Sequence, residues 1–215
     1  MYHWITDKQF LKDMKRECYD IINRLRENIN RDSYFRVETQ IVGSGANNLI
    51  TQNGKEPIDL DFNLCIVSIK KNIKESEIKE YVRQHFNKVL NERKWGNCSD
   101  STSALTTKRQ YFKNGNQTEF SIDLAIIKKE KNFLHKLKHE KTGNTNNDKW
   151  YWNIVPNSEN IKNKADYIKT CGCWNEVREK YLKKKNKFLT EQDYNHPSFI
   201  CYIEAVNEVY YNLQN

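Results

Sequence analysis

The stretch Ile58-Asp59-Leu60-Asp61-Phe62-Asn63-Leu64-Cys65-Ile66 decides how this chain is read. Its apolar residues fall on alternate positions, the period of a strand with one buried face, and the pattern predicts a strand over residues 58–69. Asp59 and Asp61 therefore share the opposite face. Two carboxylates held this close repel at neutral pH unless a divalent cation sits between them. Hard, oxygen-preferring Mg²⁺, or Mn²⁺ in its place, suits carboxylates that also meet phosphates. Upstream, Phe35, Val37, Thr39 and Ile41 alternate over residues 34–42 as a second half-buried strand, which runs directly into Gly43-Ser44-Gly45. Glycine lets a backbone approach phosphate closely, and Ser44 adds a hydroxyl beside exposed N–H donors. Downstream, Phe120, Ile122, Leu124 and Ile126 alternate with Ser121 and Asp123, which puts a third acid on the polar face of another strand. Two metal ions held by three carboxylates would align an attacking hydroxyl with the α-phosphorus of a nucleotide and neutralise the leaving pyrophosphate.

Working outward, Phe10, Met14, Cys18, Ile21, Ile22 and Leu25 recur at helical spacing over residues 6–28. Residues 70–94 form a second amphipathic pattern, with Ile73, Ile78, Val82, Phe86, Val89 and Leu90 as its apolar stripe. Residues 103–112 and 117–127 flank Lys113-Asn114-Gly115-Asn116, and Asn-Gly between alternating runs marks a hairpin. Residues 133–141 and 150–155 read as a further hairpin across the polar loop 142–148, with a short helix as the alternative for the first piece. Beyond Pro156 the spacing is helical over 160–171, 174–189 and 197–213. The expected fold class is α+β: a small mixed sheet with flanking helices in residues 1–156, followed by a C-terminal helical subdomain in 157–215.

The 215 residues carry 36 Lys and Arg against 28 Asp and Glu, a net charge of +8, which favours a polyanionic partner such as a nucleotide, a nucleic acid or an acidic surface. Aromatic residues at 12% exclude disorder for most of the chain. No run of about 18 apolar residues occurs, and the first ten residues lack the apolar stretch of a signal peptide, so a cytoplasmic protein with no membrane partner is expected. In that compartment the six scattered cysteines remain thiols. Cys171, Cys173, His135 and His139 are zinc-ligand types, but Cys-x-Cys is tighter than a structural-zinc knuckle. The basic run 178–185 and Lys162, Lys164 and Lys169 read either as solvated helix faces or as contacts to a triphosphate or RNA backbone. Trp150, Tyr151, Trp152, Tyr167 and Trp174 read as core or as a base-stacking platform.

The ordered set Val42-Gly43-Ser44, Ile58-Asp59-Leu60-Asp61-Phe62 and Ser121-Ile122-Asp123-Leu124 resembles the DNA polymerase β-like nucleotidyltransferase superfamily. The resemblance covers residues 37–127, and the layout looks most like the minimal group with CCA-adding enzymes and oligoadenylate synthetases. It implies Gly43 and Ser44 as triphosphate contacts, Asp59 and Asp61 as ligands of both metals, and Asp123 as metal ligand and hydroxyl activator. The implied reaction is transfer of a nucleoside monophosphate from an NTP to an acceptor hydroxyl with release of pyrophosphate. The acceptor stays open among an RNA 3′ end, another nucleotide, a protein side chain and a small molecule. The rival reading is a non-catalytic basic RNA- or nucleotide-binding module on a degenerate transferase fold.

Overall fold

Helix α1 (Lys8–Arg31) forms because its apolar residues return every three or four positions, burying Phe10, Met14, Cys18, Ile21, Ile22, Leu25 and Ile29 along one stripe. It runs three residues past the expected end because Ile29 continues that stripe into the core. The computed structural model describes residues 1–31, 34–69, 73–144, 147–156, 159–193 and 197–214. These fall into two compact units: Thr6–Ala46 with Pro57–Pro156, and Met1–Ile5 with Asn47–Glu56 and Asn157–Asn215.

The larger unit carries a mixed sheet, seven-stranded among the described residues. In chain order its elements are α1, β2 (Phe35–Ile41), the single helical turn α2 (Gly43–Ala46), β4 (Ile58–Ile69), α3 (Glu75–Glu92), β5 (Ser99–Asp100), β6 (Leu105–Thr106), β7 (Phe120–Glu130), β8 (Phe133–Glu140) and β9 (Lys149–Val155). Strand order is β2-β4-β7-β6-β5, with β8 pairing β7 and β9. Only β4 and β7 run parallel among these pairs, and the other ladders are antiparallel. Leu60, Phe62, Leu64, Ile122, Leu124 and Ile126 make the buried face. Helix α1 seals it through Phe10, edge-on to Phe120 at 6.3 Å, and Tyr19, edge-on to Phe62 at 5.5 Å.

The smaller unit pairs β1 (Tyr2–Trp4) with β3 (Thr51–Asn53) and packs α4 (Glu159–Thr170), α5 (Trp174–Thr190) and α6 (Ser198–Asn212) around Ile168, Val177, Tyr181, Ala205 and Val206. Leu49 joins this core. No described helix is long and apolar enough to cross a membrane.

The expected strand over 58–69 forms over the same residues, and residues 133–140 are strand rather than helix. The expected arm over 103–112 is a correction: it holds its ladder only at Leu105–Thr106 and at a lone Gln110–Phe120 bridge. At Thr107 the backbone N donates to Ile122 O at 3.0 Å, but it is the buried Thr107 Oγ1 that accepts from Ile122 N, at 2.9 Å. Residues 70–72 of the expected second helix and 145–146 of the expected polar loop lie outside the described residues.

Candidate active site

Parallel pairing of β4 with β7 sets Asp59 opposite Ser121 and Asp61 opposite Asp123. Adjacent strands lie about 4.8 Å apart, so the expected three acids are brought together on one face by register alone. Asp59 is exposed and accepts a hydrogen bond from Ser121 Oγ. Asp61 and Asp123 are half-buried, and Asp123 Oδ1 accepts from Thr106 Oγ1 at 2.5 Å.

The Gly43-Ser44-Gly45 turn leaves the end of β2 and lies against Asp61. Val42 N donates to Asp61 O at 2.9 Å. Gly43 has φ +62°, a backbone angle that favours glycine, and a Cβ there would fall 2.7 Å from Asp61 Oδ2 and displace that carboxylate. A Cβ on Gly45 would fall 2.6 Å from Ile41 Cδ1 and 3.2 Å from Leu60 Cδ2, which is how the turn seats itself on the sheet. Lys15 Nζ donates to Gly45 O at 3.2 Å and fixes the turn to α1. Ser44 is half-buried in this turn.

The proximity has an electrostatic cost. Burial first, then the charges of Asp123 and Asp59, push Asp61 up to about 6, with Lys136 opposing them. Asp123 is also raised, chiefly by burial and further by Asp59, while the Thr106 hydrogen bond and Lys136 pull the other way. Lys136 is itself lowered, by burial and then by Lys138, against the attraction of Asp61 and Asp123.

Lys136 is the member of this group that the sequence reading missed. It sits opposite Ile127 on the antiparallel β7–β8 ladder, hence on the same face as Asp123, with the small Ala125 between them. The available signal was alternation within β8, where Leu134, Lys136, Lys138 and Glu140 share one face and Leu137 and His139 are buried on the other. Among the described residues no three His, Cys, Asp or Glu side chains close into a ready metal cage.

The other candidate cations lie in the smaller unit, and several have internal partners. Lys180 pairs with Glu208 at 2.5 Å, Lys184 with Glu204 and Glu208 at 3.4 Å, and Lys164 donates to Asn207 Oδ1 at 2.7 Å. Burial pushes Lys185 down to about 8; its Nζ donates to Thr51 Oγ1 at 3.0 Å. Of the aromatic residues, Trp150 stacks on His139 at 4.1 Å, Lys128 covers Trp152 at 4.7 Å, and Trp174 Nε1 donates to Asn47 O at 3.2 Å. All six cysteines are free thiols.

No protein-family model and no curated protein sequence matches this chain. Solved structures do. Vibrio cholerae DncV cyclic AMP-GMP synthase, in complex with nonhydrolyzable GTP, superposes with a TM-score of 0.56 at 11% identity, over 84% of this chain and 61% of its own. E. coli MS115-1 CdnC with ATP gives 0.56 at 11% identity, over 92% of this chain and 60% of its own. Elizabethkingia meningoseptica CdnE cyclic dinucleotide synthase with GTP and Apcpp gives 0.52 at 13% identity, over 90% and 68%. The chain has the polymerase β-like nucleotidyltransferase fold. It spans about three-fifths of the length of the DncV and CdnC structures. Within that nucleotidyltransferase fold, Gly43 and Ser44 occupy the turn after β2, and Asp59, Asp61 and Asp123 occupy one face of the β4–β7 pair.

Proposed function

We propose that this chain is a divalent-metal-dependent nucleotidyltransferase that joins a nucleoside monophosphate from an NTP to the hydroxyl of a second nucleotide. The observation that supports it is the pairing of Asp61 with Asp123 across parallel strands, with Asp59 beside them and the Gly43 turn against the Asp61 carboxylate. In the reaction the acceptor oxygen bonds the α-phosphorus, the bond from that phosphorus to the bridging oxygen breaks, and pyrophosphate leaves. The donor set fits Mg²⁺ or Mn²⁺: three hard oxygen ligands, two of them raised by burial and by the neighbouring acids, in an open arrangement of the kind Mg²⁺ completes with substrate phosphates. Asp59, Asp61 and Asp123 would hold two ions, which when bound supply charge neutralisation at the transferred and leaving phosphates.

The remaining work belongs to the chain. The backbone of Gly43 and Ser44 holds the triphosphate, and the Ser44 hydroxyl adds a donor. Asp123 takes the acceptor hydroxyl's proton, and Thr106 fixes its orientation. The acceptor is inferred from the neighbours, whose names describe a cyclic AMP-GMP synthase and a cyclic dinucleotide synthase. We place the reaction in the cytoplasm, where NTPs are supplied.

The test is incubation with each α-labelled NTP, singly and in pairs, with Mg²⁺ or Mn²⁺. The expected result is a new labelled small product together with pyrophosphate. Label moving only to added RNA or protein would replace the acceptor. Metal-dependent NTP binding without transfer would mean a missing acceptor, and failure of both transfer and binding would favour the non-catalytic module.

A further inference from the structure

A second group of polar and charged side chains lies in the larger unit outside the acid cluster, with Lys79 and His139 buried. Lys79 lies on the inner face of α3 with its side chain 4% exposed, its Nζ 2.5 Å from Asp100 Oδ1. The same Nζ donates to Ser101 O at 2.7 Å. His139 presents Nδ1 to Asp100 Oδ2 at 2.7 Å and Nε2 to Asp148 Oδ2 at 2.9 Å, and its ring stacks on Trp150. His139 N donates to Thr102 O at 2.8 Å, and Lys141 Nζ to Asp100 O at 2.5 Å. A cavity of about 540 Å³ lined by Lys79, Arg83, Asp100, His139 and Trp150 opens onto this group and not onto the acids.

Burying the Lys79 ammonium against a half-buried carboxylate is costly, and apolar packing would hold a core as well. What the group holds is specific. Its contacts converge on residues 100–102, where β5 turns toward β6, and strands of two residues do not hold a hairpin by themselves. Asp100 pairs with Leu105, Leu105 with Leu124, and Thr106 with Asp123. The Thr106 hydroxyl then donates to the Asp123 carboxylate.

We propose that Lys79, Asp100, His139 and Asp148 are positioning residues for the transfer centre: they hold the β5–β6 hairpin in register with β7, and through Thr106 they set the orientation of Asp123. This rests on the reading of Asp123 as a catalytic acid. The hairpin reaches the Asp123 carboxylate through the Thr106 hydroxyl, so the network and that bond act on the same group.

Two measurements test it. In a double-mutant cycle, Asp100→Asn and Thr106→Val each lower kcat about tenfold with the KM for NTP little changed, the double variant falls no further than Thr106→Val alone, and Thr106→Ser restores the rate. Additive losses would overturn the proposal. In hydrogen exchange, Asp100→Asn speeds exchange of the amides of residues 99–107 while Thr106→Val leaves them protected. Unchanged exchange in Asp100→Asn would overturn it as well. A wild-type protein that transfers no nucleotide contradicts the transferase reading, and exchange still decides whether the tether exists. Unaltered far-UV circular dichroism in Asp100→Asn separates loss of positioning from loss of fold.

Discussion

Asp61 and Asp123 stand directly opposite each other on the parallel strands β4 and β7, half-buried on one face of the sheet. Such a pair is stored electrostatic repulsion. The sheet pays for it with the apolar packing of its other face, and several consequences are measurable.

The first concerns stability. Burial and the neighbouring acids raise Asp61 from an ordinary value of 3.8 to about 6, so the folded state binds this proton more tightly than the unfolded chain does. The contribution is complete below the unfolded value and is lost as pH rises through about 6, a difference on the order of 3 kcal/mol. We expect Asp61→Asn to melt several degrees above wild type at pH 7 in metal-free buffer, with the gap closing near pH 4. Thermal melts at both pH values check this; a variant that melts below wild type at pH 7 contradicts it.

The second separates strain from position at Gly43. An L-residue at its positive φ costs about 1–2 kcal/mol, and the Cβ would also displace the Asp61 carboxylate. Gly54 has φ +55° with nothing near its Cβ position. Gly43→Ala and Gly54→Ala should therefore lose similar stability, while transfer falls steeply only in the first. Equal rates in the two variants would remove the Gly43 approach from the account.

The third concerns Lys136, which opposes the rise of both Asp61 and Asp123. Replacing it with Met removes that opposition, so the acidic limb of the kcat/KM profile moves to higher pH, while Lys136→Arg leaves it in place. A limb that stays put in Lys136→Met would show that the lysine does not act on the acids.

What the sequence revealed and what it hid follow from how far each feature reaches along the chain. Asp59 and Asp61 share a face because a strand has a period of two, a local fact visible in the alternation of Ile58, Leu60 and Phe62. That Asp123 sits opposite Asp61 depends on a parallel register between strands about sixty residues apart, which no local pattern encodes. Lys136 was hidden because Phe133-Leu134-His135-Lys136 fits either a strand or a helical turn. Strands β5 and β6 are two residues each, too short to show a period, so Thr106 and the tether at Asp100 emerge only in three dimensions. Polar residues 51–56 likewise masked Leu49 and Ile50, both buried in the smaller unit.

The most direct test of the central claim is pyrophosphate release and α-label transfer from NTP with Mg²⁺, measured side by side for wild type, Asp61→Asn and Asp123→Asn. If the three acids act as one centre, each variant loses about a hundredfold or more in rate while remaining folded. Wild-type turnover by either variant would contradict that centre.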